Sequence, residues 1–99
     1  MKLISVVRTP SEKKEFVATF EKDGKKFIRR FGTKSNYVLN KDKTDTDRDN
    51  YRKRHRAMKR EAQALKDPTT PASLSMELLW GHSRSLNQNI KTFKRKHNL

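Results

Sequence analysis

The chain has 99 residues, 31% of them hydrophobic and 36% charged, with a formal net charge of +14 and no cysteine. This length allows one small domain with a modest core, and the missing cysteines exclude disulfides and thiolate metal sites. The charge lies well above the roughly 2–8 that keeps a small domain soluble, so it favours acidic proteins or polyanions as partners. An intracellular setting fits this composition.

The first forty residues predict a small antiparallel sheet. Asp23-Gly24 separates two alternating segments, Glu15–Glu21 and Lys25–Phe31. It predicts a hairpin because a type I′ turn needs positive φ at both central residues. A lone hairpin is marginal in water, so Leu3–Arg8 is expected to add a third strand, ending at the break Thr9-Pro10-Ser11. The apolar run within that strand is too short for a signal peptide, and we expect no membrane span.

The hairpin register predicts one aromatic face. It sets Phe20 opposite Phe27 and Phe16 opposite Phe31, with Glu21 opposite Lys26 on the other face. Same-face phenylalanines form a core in most sheets, but phenylalanines interleaved with cations can also stack on single-stranded bases. We interpret these four as core. The polar stretch 32–43 that follows is expected to be a connection with room for a short fourth strand.

Residues 44–67 predict one long basic helix. An almost apolar stripe recurs at helical spacing, formed by Tyr51, His55, Met58, Ala62 and Leu65. Cationic side chains fan out along the flank and back of this stripe: Arg48, Arg52, Lys53, Arg56, Lys59 and Arg60. A helix that packs by one edge and exposes cations along another is suited to an acidic partner. These six side chains are therefore predicted partner-binding or polyanion-binding residues.

The start of this helix has a capping signal, with Thr46 as the cap and Asp49 three residues later. The alternating aspartates from Asp45 do not make a calcium loop, because Asn50 and Arg56 stand where such a loop needs glycine and glutamate. His55 lies on the apolar stripe far from other metal ligands. It is expected to be a core-edge histidine with one hydrogen-bond partner rather than a ligand.

Residues 70–97 predict two shorter helices. Thr70-Pro71 opens the first, which is apolar on more than one side and ends at Gly81. Trp80 is expected to be a buried anchor, with an interface anchor as the alternative. Ser85 and Gln88 form a capping box for the second helix. Its end carries Lys94, Arg95 and Lys96, which suit either a solvated helix terminus or a polyanion contact.

The sequence contains no nucleophile elbow, no glycine-rich phosphate loop and no poised pair of carboxylates, so we expect no enzyme and no cofactor. Two function classes remain open. One is a structural assembly protein that docks on acidic surfaces. The other is nucleic-acid binding, including a helix-turn-helix outline in which the last helix presents Arg84, Asn87, Gln88, Asn89 and Lys91 to bases.

Three segments carry a resemblance: Arg48-Asp49-Asn50-Tyr51 with Arg54-His55, then Thr70 to Ser75, then Leu78-Leu79-Trp80. Together they resemble a family of short basic proteins encoded by large double-stranded DNA viruses of algae and protists. The likeness covers roughly residues 48–99. It implies a viral protein that resides in the virion, and intracellularly in the host during assembly, but it implies no activity and no site residues.

The sequence therefore predicts a single small α+β domain over residues 1–99. It consists of an N-terminal antiparallel meander of about three strands within residues 1–40, one long helix over 44–67 and two short helices over 70–97. The expected function is that of a non-enzymatic minor capsid or capsid-associated protein that binds other virion proteins. Binding to the packaged nucleic acid is the alternative, and no small-molecule substrate is expected.

Overall fold

The computed structural model describes residues 1–9 and 15–99. Three strands, β1 (Lys2–Arg8), β2 (Phe16–Lys22) and β3 (Lys25–Phe31), precede the helices. The helices are α1 (Asp45–Ala57), α2 (Lys59–Ala64), α3 (Pro71–Leu74) with a π-helical continuation (Ser75–Leu79), and α4 (Leu86–His97). The α+β class with an N-terminal antiparallel sheet is confirmed. Pro10 and Ser11 of the expected break lie outside the described residues.

The sheet has the order β1-β2-β3, and both pairings are antiparallel. The predicted register is confirmed, with Phe20 opposite Phe27 and Phe16 opposite Phe31. Asp23 and Gly24 have φ of 53° and 77°, as the primed turn requires. The stretch 32–43 is a connection, as predicted, but the short fourth strand allowed for within it is wrong. Its residues, all of which the structure describes, form turns and no strand. Asn36 organises these turns, donating to the Thr33 carbonyl and accepting from the Leu39 amide.

The phenylalanine face of the sheet is the core. Phe16, Phe20 and Phe31 are fully buried, and the pairs Phe16–Phe31 and Phe20–Phe27 stack at 5.6 and 5.4 Å. The cover comes from α3, its π-helical continuation and α4, which contribute Leu74, Leu78, Leu79, Trp80 and Phe93. Base stacking on Phe16, Phe20 or Phe31 is excluded, because these rings are already buried by the chain itself.

The prediction of a single long helix is wrong, because the helix breaks at Met58. Met58 has extended backbone angles and is 48% exposed, so the predicted apolar stripe ends there. No helix breaker stands at this position. Beyond the break, Thr70 Oγ1 donates to the Ala64 carbonyl and holds the end of α2 near the start of α3. The like-charged pair Arg56 and Arg60, four residues apart, disfavours a continuous helix.

The predicted cap of α1 is displaced by two residues. Thr44, not Thr46, is the N-cap, and it exchanges hydrogen bonds with Asp47 in a complete capping box. Thr70 and Ser85 cap α3 and α4 as predicted. These caps satisfy amide groups that have no partner within their own helix.

Gly81 permits the close packing of α4 against the π-helical segment. A Cβ at this position would lie 2.5 Å from the Glu77 carbonyl oxygen and 2.8 Å from Asn89 Cγ. Neither neighbour is a flexible side-chain end, because one is backbone and the other is a buried amide. The residue after Trp80 is therefore restricted to glycine by the approach of these two elements.

Candidate partner-binding surfaces

Arg52 is buried at the centre of the contact between α1 and the π-helical segment. The residue is only 5% exposed, and its Nη1 donates to the carbonyls of Met76 and Trp80 at 3.0 Å each. Nη2 lies 3.7 Å from a Glu77 carboxylate oxygen. Burial lowers the pKa of the guanidinium, but an arginine remains charged. The prediction that Arg52 lies on an exposed partner-binding flank is wrong.

Arg48 and Arg84 enclose the ring of Tyr37. Their guanidinium carbons lie 5.1 and 4.1 Å from its centroid, and Tyr37 donates its hydroxyl to Asp45 at 2.6 Å. This hydrogen bond raises the pKa of Tyr37 and lowers the pKa of Asp45. Arg84 also donates to the carbonyls of Tyr37, Asn40 and Lys43. Both arginines therefore fasten the 32–43 loop, and Arg48 contributes little to the free cationic surface.

Asn89, one of the proposed base-reading residues, is buried in the first turn of α4, where its side chain contacts the preceding turn. Its side-chain nitrogen donates to the carbonyls of Leu78 at 3.0 Å and Ser83 at 2.7 Å. Its oxygen accepts from the Ser83 amide at 3.1 Å. Arg84 also donates to backbone carbonyls, so both side chains are engaged within the fold. The helix-turn-helix interpretation is therefore wrong for Arg84 and Asn89. Asn87, Gln88 and Lys91 remain exposed.

Most acidic side chains of the described chain are engaged internally. Arg8 contacts Glu15, Arg48 contacts Asp45 and Asp49, and Arg52 and Lys96 contact Glu77. Asp47 and Asp67 instead accept hydrogen bonds from the nearby threonines Thr44 and Thr69, which lower the pKa of both carboxyls. These acids therefore stabilise turns, caps and contacts between elements. Among the described residues, no carboxylate forms an ion pair with Lys53, Arg56, Lys59 or Arg60.

Four exposed cations on α1 and α2 form what we call the cationic helix surface: Lys53, Arg56, Lys59 and Arg60. All four were predicted from the sequence, and the structure leaves them accessible. At the end of α4, Arg95 is exposed, Lys94 is half-buried and Lys96 lies 3.1 Å from Glu77. The end of α4 is therefore the weaker of the two predicted cationic sites.

An open cleft lies along α1, on the side of the helix away from the cationic helix surface. A depression of about 430 Å³ is lined by Ser35, Lys43, Asp47, Asn50, Tyr51, Arg54 and Trp80. A second depression of about 220 Å³ adjoins it and shares Ser35, Tyr51 and Trp80. Sequence reasoning did not assign Lys43 or Arg54 to a site. The spacing of Asp47, Asn50, Tyr51 and Arg54 at i, i+3, i+4 and i+7 was the available signal.

Trp80 lies between the core and this cleft. It is 9% exposed and stacks on Tyr51 with a centroid distance of 4.2 Å and an interplanar angle of 6°. The predicted buried anchor is confirmed, while most of the ring is covered by the chain itself. Burial raises the pKa of the Tyr51 phenol. The aromatic pair joins α1 to the end of the π-helical segment.

His55 lies one turn after Tyr51 on α1. Its Nδ1 is hydrogen-bonded to a Glu61 carboxylate oxygen across the break, and its ring packs on Tyr51 at 4.0 Å. The core-edge interpretation is confirmed. Within residues 1–9 and 15–99, no three potential metal-ligating side chains lie together. None of the helices described is both long enough and apolar enough to traverse a membrane.

The outer face of the sheet is also uncovered. Ile4, Val7 and Ile28 are 46%, 48% and 49% exposed on it. The strand register places the cations Lys26 and Arg30 on the same face. Its centre is aliphatic, so it lacks the aromatic rings on which bases stack.

No protein-family model matches the chain, and no curated protein or solved structure is significantly similar to it.

Proposed function

We propose that the protein is a non-enzymatic structural component of a virus particle, a minor capsid or capsid-associated protein. It binds acidic surfaces of neighbouring proteins through the cationic helix surface. The viral setting rests on the resemblance of residues 48–99 described above. The binding mode rests on the accessible cations of α1 and α2.

One observation carries the binding mode: the acids are engaged within the fold, while the cations of the cationic helix surface stay exposed. A net charge of +14 destabilises a compact monomer by self-repulsion, and an acidic partner relieves that repulsion. Lys53 and Arg56 lie on a helix that the buried Arg52 holds in place, so the backbone that carries them is ordered before binding. Binding therefore does not have to order this backbone, which lowers its entropic cost.

Binding to the packaged genome is the second candidate. Exposed cations occur beyond the helices, at Lys25, Lys26, Arg29 and Arg30 on β3. Such a spread suits a phosphate backbone that contacts several faces of a small protein. With Arg84 and Asn89 engaged internally, this binding would rely on phosphate contacts more than on base edges.

The test is a charge reversal with a matched control. The first variant changes Lys53, Arg56, Lys59 and Arg60 to glutamate, and the control changes Lys2, Lys26, Arg30 and Lys34. Both variants lose the same net charge and replace exposed side chains only. Binding to polyglutamate, duplex DNA and single-stranded DNA is then measured across a salt series. Circular dichroism verifies that both variants fold.

We expect the first variant to lose polyglutamate binding and the control to retain most of it. Equal losses in the two variants would contradict a localised surface, since only total charge would then matter. A steep salt dependence with duplex DNA, reduced in both variants, would favour the genome-binding candidate, because its phosphate contacts are spread over several faces.

The viral setting has its own test. Mass spectrometry of purified particles of the encoding virus is expected to detect the protein after protease treatment of the particle exterior. Its absence from the particles would refute the virion proposal, whatever the protein binds in solution.

A further inference from the structure

We propose that the cleft along α1 binds a single carboxylate of an acidic protein segment, with Lys43 and Arg54 as its ion-pairing residues. This inference rests on the proposed function, because it assumes an acidic protein partner. It concerns a different surface from the cationic helix surface, since Lys53, Arg56, Lys59 and Arg60 do not line the cleft.

Three elements meet at the cleft and fix its walls. One wall is the face of α1 that carries Asn50, Tyr51 and Arg54, and the opposite wall is the 32–43 loop with Ser35 and Lys43. Arg84 donates to the Lys43 carbonyl, and the Lys43 amide donates to the Asn40 carbonyl at 3.1 Å. The backbone that carries the Lys43 ammonium is therefore held in place before any ligand arrives.

The π-helical segment places Trp80 at the cleft. The Trp80 amide donates to the Ser75 carbonyl at 3.1 Å, the i to i+5 bond that defines the wide turn. π-helical turns are rare and occur frequently at functional sites. Here the turn brings the Trp80 ring against Tyr51, so the aromatic pair gives the cleft an apolar wall beside its cations.

The charges in the cleft select the ligand. Lys43 and Arg54 are cationic, whereas Asp47 on the same wall is held ionised by its hydrogen bonds to Thr44, which lower the pKa of its carboxyl. One positive charge thus remains uncompensated. A single carboxylate neutralises that charge, whereas a phosphate dianion would leave the cleft with a net negative charge. Guanidinium groups also bind carboxylates through paired hydrogen bonds.

The aromatic wall suits the aliphatic part of a glutamate side chain. Its methylene groups would pack beside Tyr51 and Trp80 while the carboxylate reached Lys43 and Arg54. Ser35 and Asn50 add hydroxyl and amide groups that can donate to the same carboxylate. The cleft thus combines apolar contact with a few convergent polar groups, as binding pockets do.

Trp80 is the only tryptophan of the chain, so its fluorescence reports on this cleft directly. The probe is an end-blocked tetraglutamate peptide, titrated at about 150 mM salt, where screening limits distant charge effects to about 8 Å. Tetraglutamine and inorganic phosphate are titrated in parallel. The variants are Arg54→Gln and Lys43→Gln, and the matched control is Arg30→Gln, which removes an exposed arginine of the open sheet face, outside both the cleft and the cationic helix surface.

We expect tetraglutamate to change the Trp80 emission saturably and tetraglutamine to leave it unchanged. Arg54→Gln should raise the apparent Kd about tenfold, as expected for the loss of a charge-assisted hydrogen bond. Lys43→Gln should raise it as well. Arg30→Gln should change it less than about twofold, since exposed charges interact weakly with distant groups.

Four results would overturn the proposal. If Arg30→Gln weakens the titration as much as Arg54→Gln, binding depends on total charge and not on the cleft, and the two charge-reversal variants then decide the proposed function separately. If inorganic phosphate saturates the Trp80 signal more tightly than tetraglutamate, the cleft is a phosphate site. If tetraglutamate leaves the emission unchanged, the cleft does not bind it. Loss of binding only in the four-residue reversal of the cationic helix surface likewise supports the function and rejects the cleft.

Discussion

At the scale of single residues, similar side chains on one helix have opposite roles. Arg52 is buried and donates to two carbonyls, whereas Arg56, one turn later, is exposed. On α4, Asn89 is buried with three hydrogen bonds, whereas Asn87 faces solvent. These pairs separate structural from surface roles without changing the residue type.

Arg52→Ala is expected to lower the free energy of unfolding by about 3–5 kcal/mol, because it leaves the buried carbonyls of Met76 and Trp80 without this donor and removes a buried cation beside Glu77. Arg56→Ala is expected to change it by less than about 0.5 kcal/mol. Urea denaturation of both variants checks this. Equal stabilities would contradict the buried role of Arg52. For this reason a charge reversal meant to test binding must leave Arg52 in place.

Asn89→Ala is expected to cost about 2–3 kcal/mol, because the carbonyls of Leu78 and Ser83 lose their donor in a dry environment. Asn87→Ala should be close to neutral. Thermal melting distinguishes the two. If Asn89→Ala instead melts like the wild type and loses DNA binding, then Asn89 reads bases and its role in the turn is wrong.

At the scale of elements, α1 begins with a capping box and is held along its length by polar contacts. Thr44 and Asp47 satisfy amide and carboxylate groups at its start. Arg52, Tyr51 and His55 then make its inward face, which is more polar than the apolar stripe that the sequence suggested. The helix is therefore fixed by directional contacts as much as by burial of apolar area.

Thr44→Ala is expected to cost about 1 kcal/mol, the usual effect of losing a helix cap. Thr46→Ala, two residues away within the first turn, should cost a few tenths at most. Chemical denaturation of the two variants identifies the cap. A larger effect at Thr46 would restore the start of the helix that the sequence predicted.

The same box predicts a pH dependence. Because hydrogen bonds from Thr44 lower the pKa of Asp47 below its ordinary value of 3.8, the ionised carboxyl stabilises the folded chain above that pH. This contribution is lost as the pH falls through the lowered pKa. Asp47→Ala should therefore flatten the acid limb of a plot of unfolding free energy against pH. An unchanged acid limb would show that the ionisation of Asp47 does not contribute to the free energy of unfolding.

At the scale of the whole molecule, one small core joins the sheet to α3, its π-helical continuation and α4. The chain around this core carries a large excess of positive charge. The phenylalanine face and the cover around Trp80 supply most of the buried apolar surface. The cations lie outside it, on the helices, the end of α4 and the open face of the sheet. Stability is thus concentrated on one side of the sheet, and partner binding has several exposed surfaces available.

Phe20→Ala and Trp80→Ala are each expected to cost about 3–5 kcal/mol, because both remove a large side chain from this core. Ile28→Ala, on the open face, should cost far less. Thermal melting of the three variants tests the assignment. Normal melting of Trp80→Ala together with lost partner binding would identify Trp80 as an interface residue instead.

The hairpin, its register, the aromatic face and the starts of α3 and α4 could all be predicted from the sequence, because each depends on residues close together in the chain. Asp23-Gly24 sets cross-strand neighbours through turn geometry alone, and Ser85 caps α4 through an amide three residues away. Local signals of this kind are complete before the chain folds.

The break at Met58, the burial of Arg52 and the cleft beside Trp80 are visible only in the folded chain. Arg52 donates to carbonyls 24 and 28 residues later in the chain, so its burial depends on groups far away in the sequence. The cleft exists because a loop, a helix and a π-helical turn meet. Periodicity assigns residues to faces of a helix, but it cannot say which distant polar groups those faces will meet.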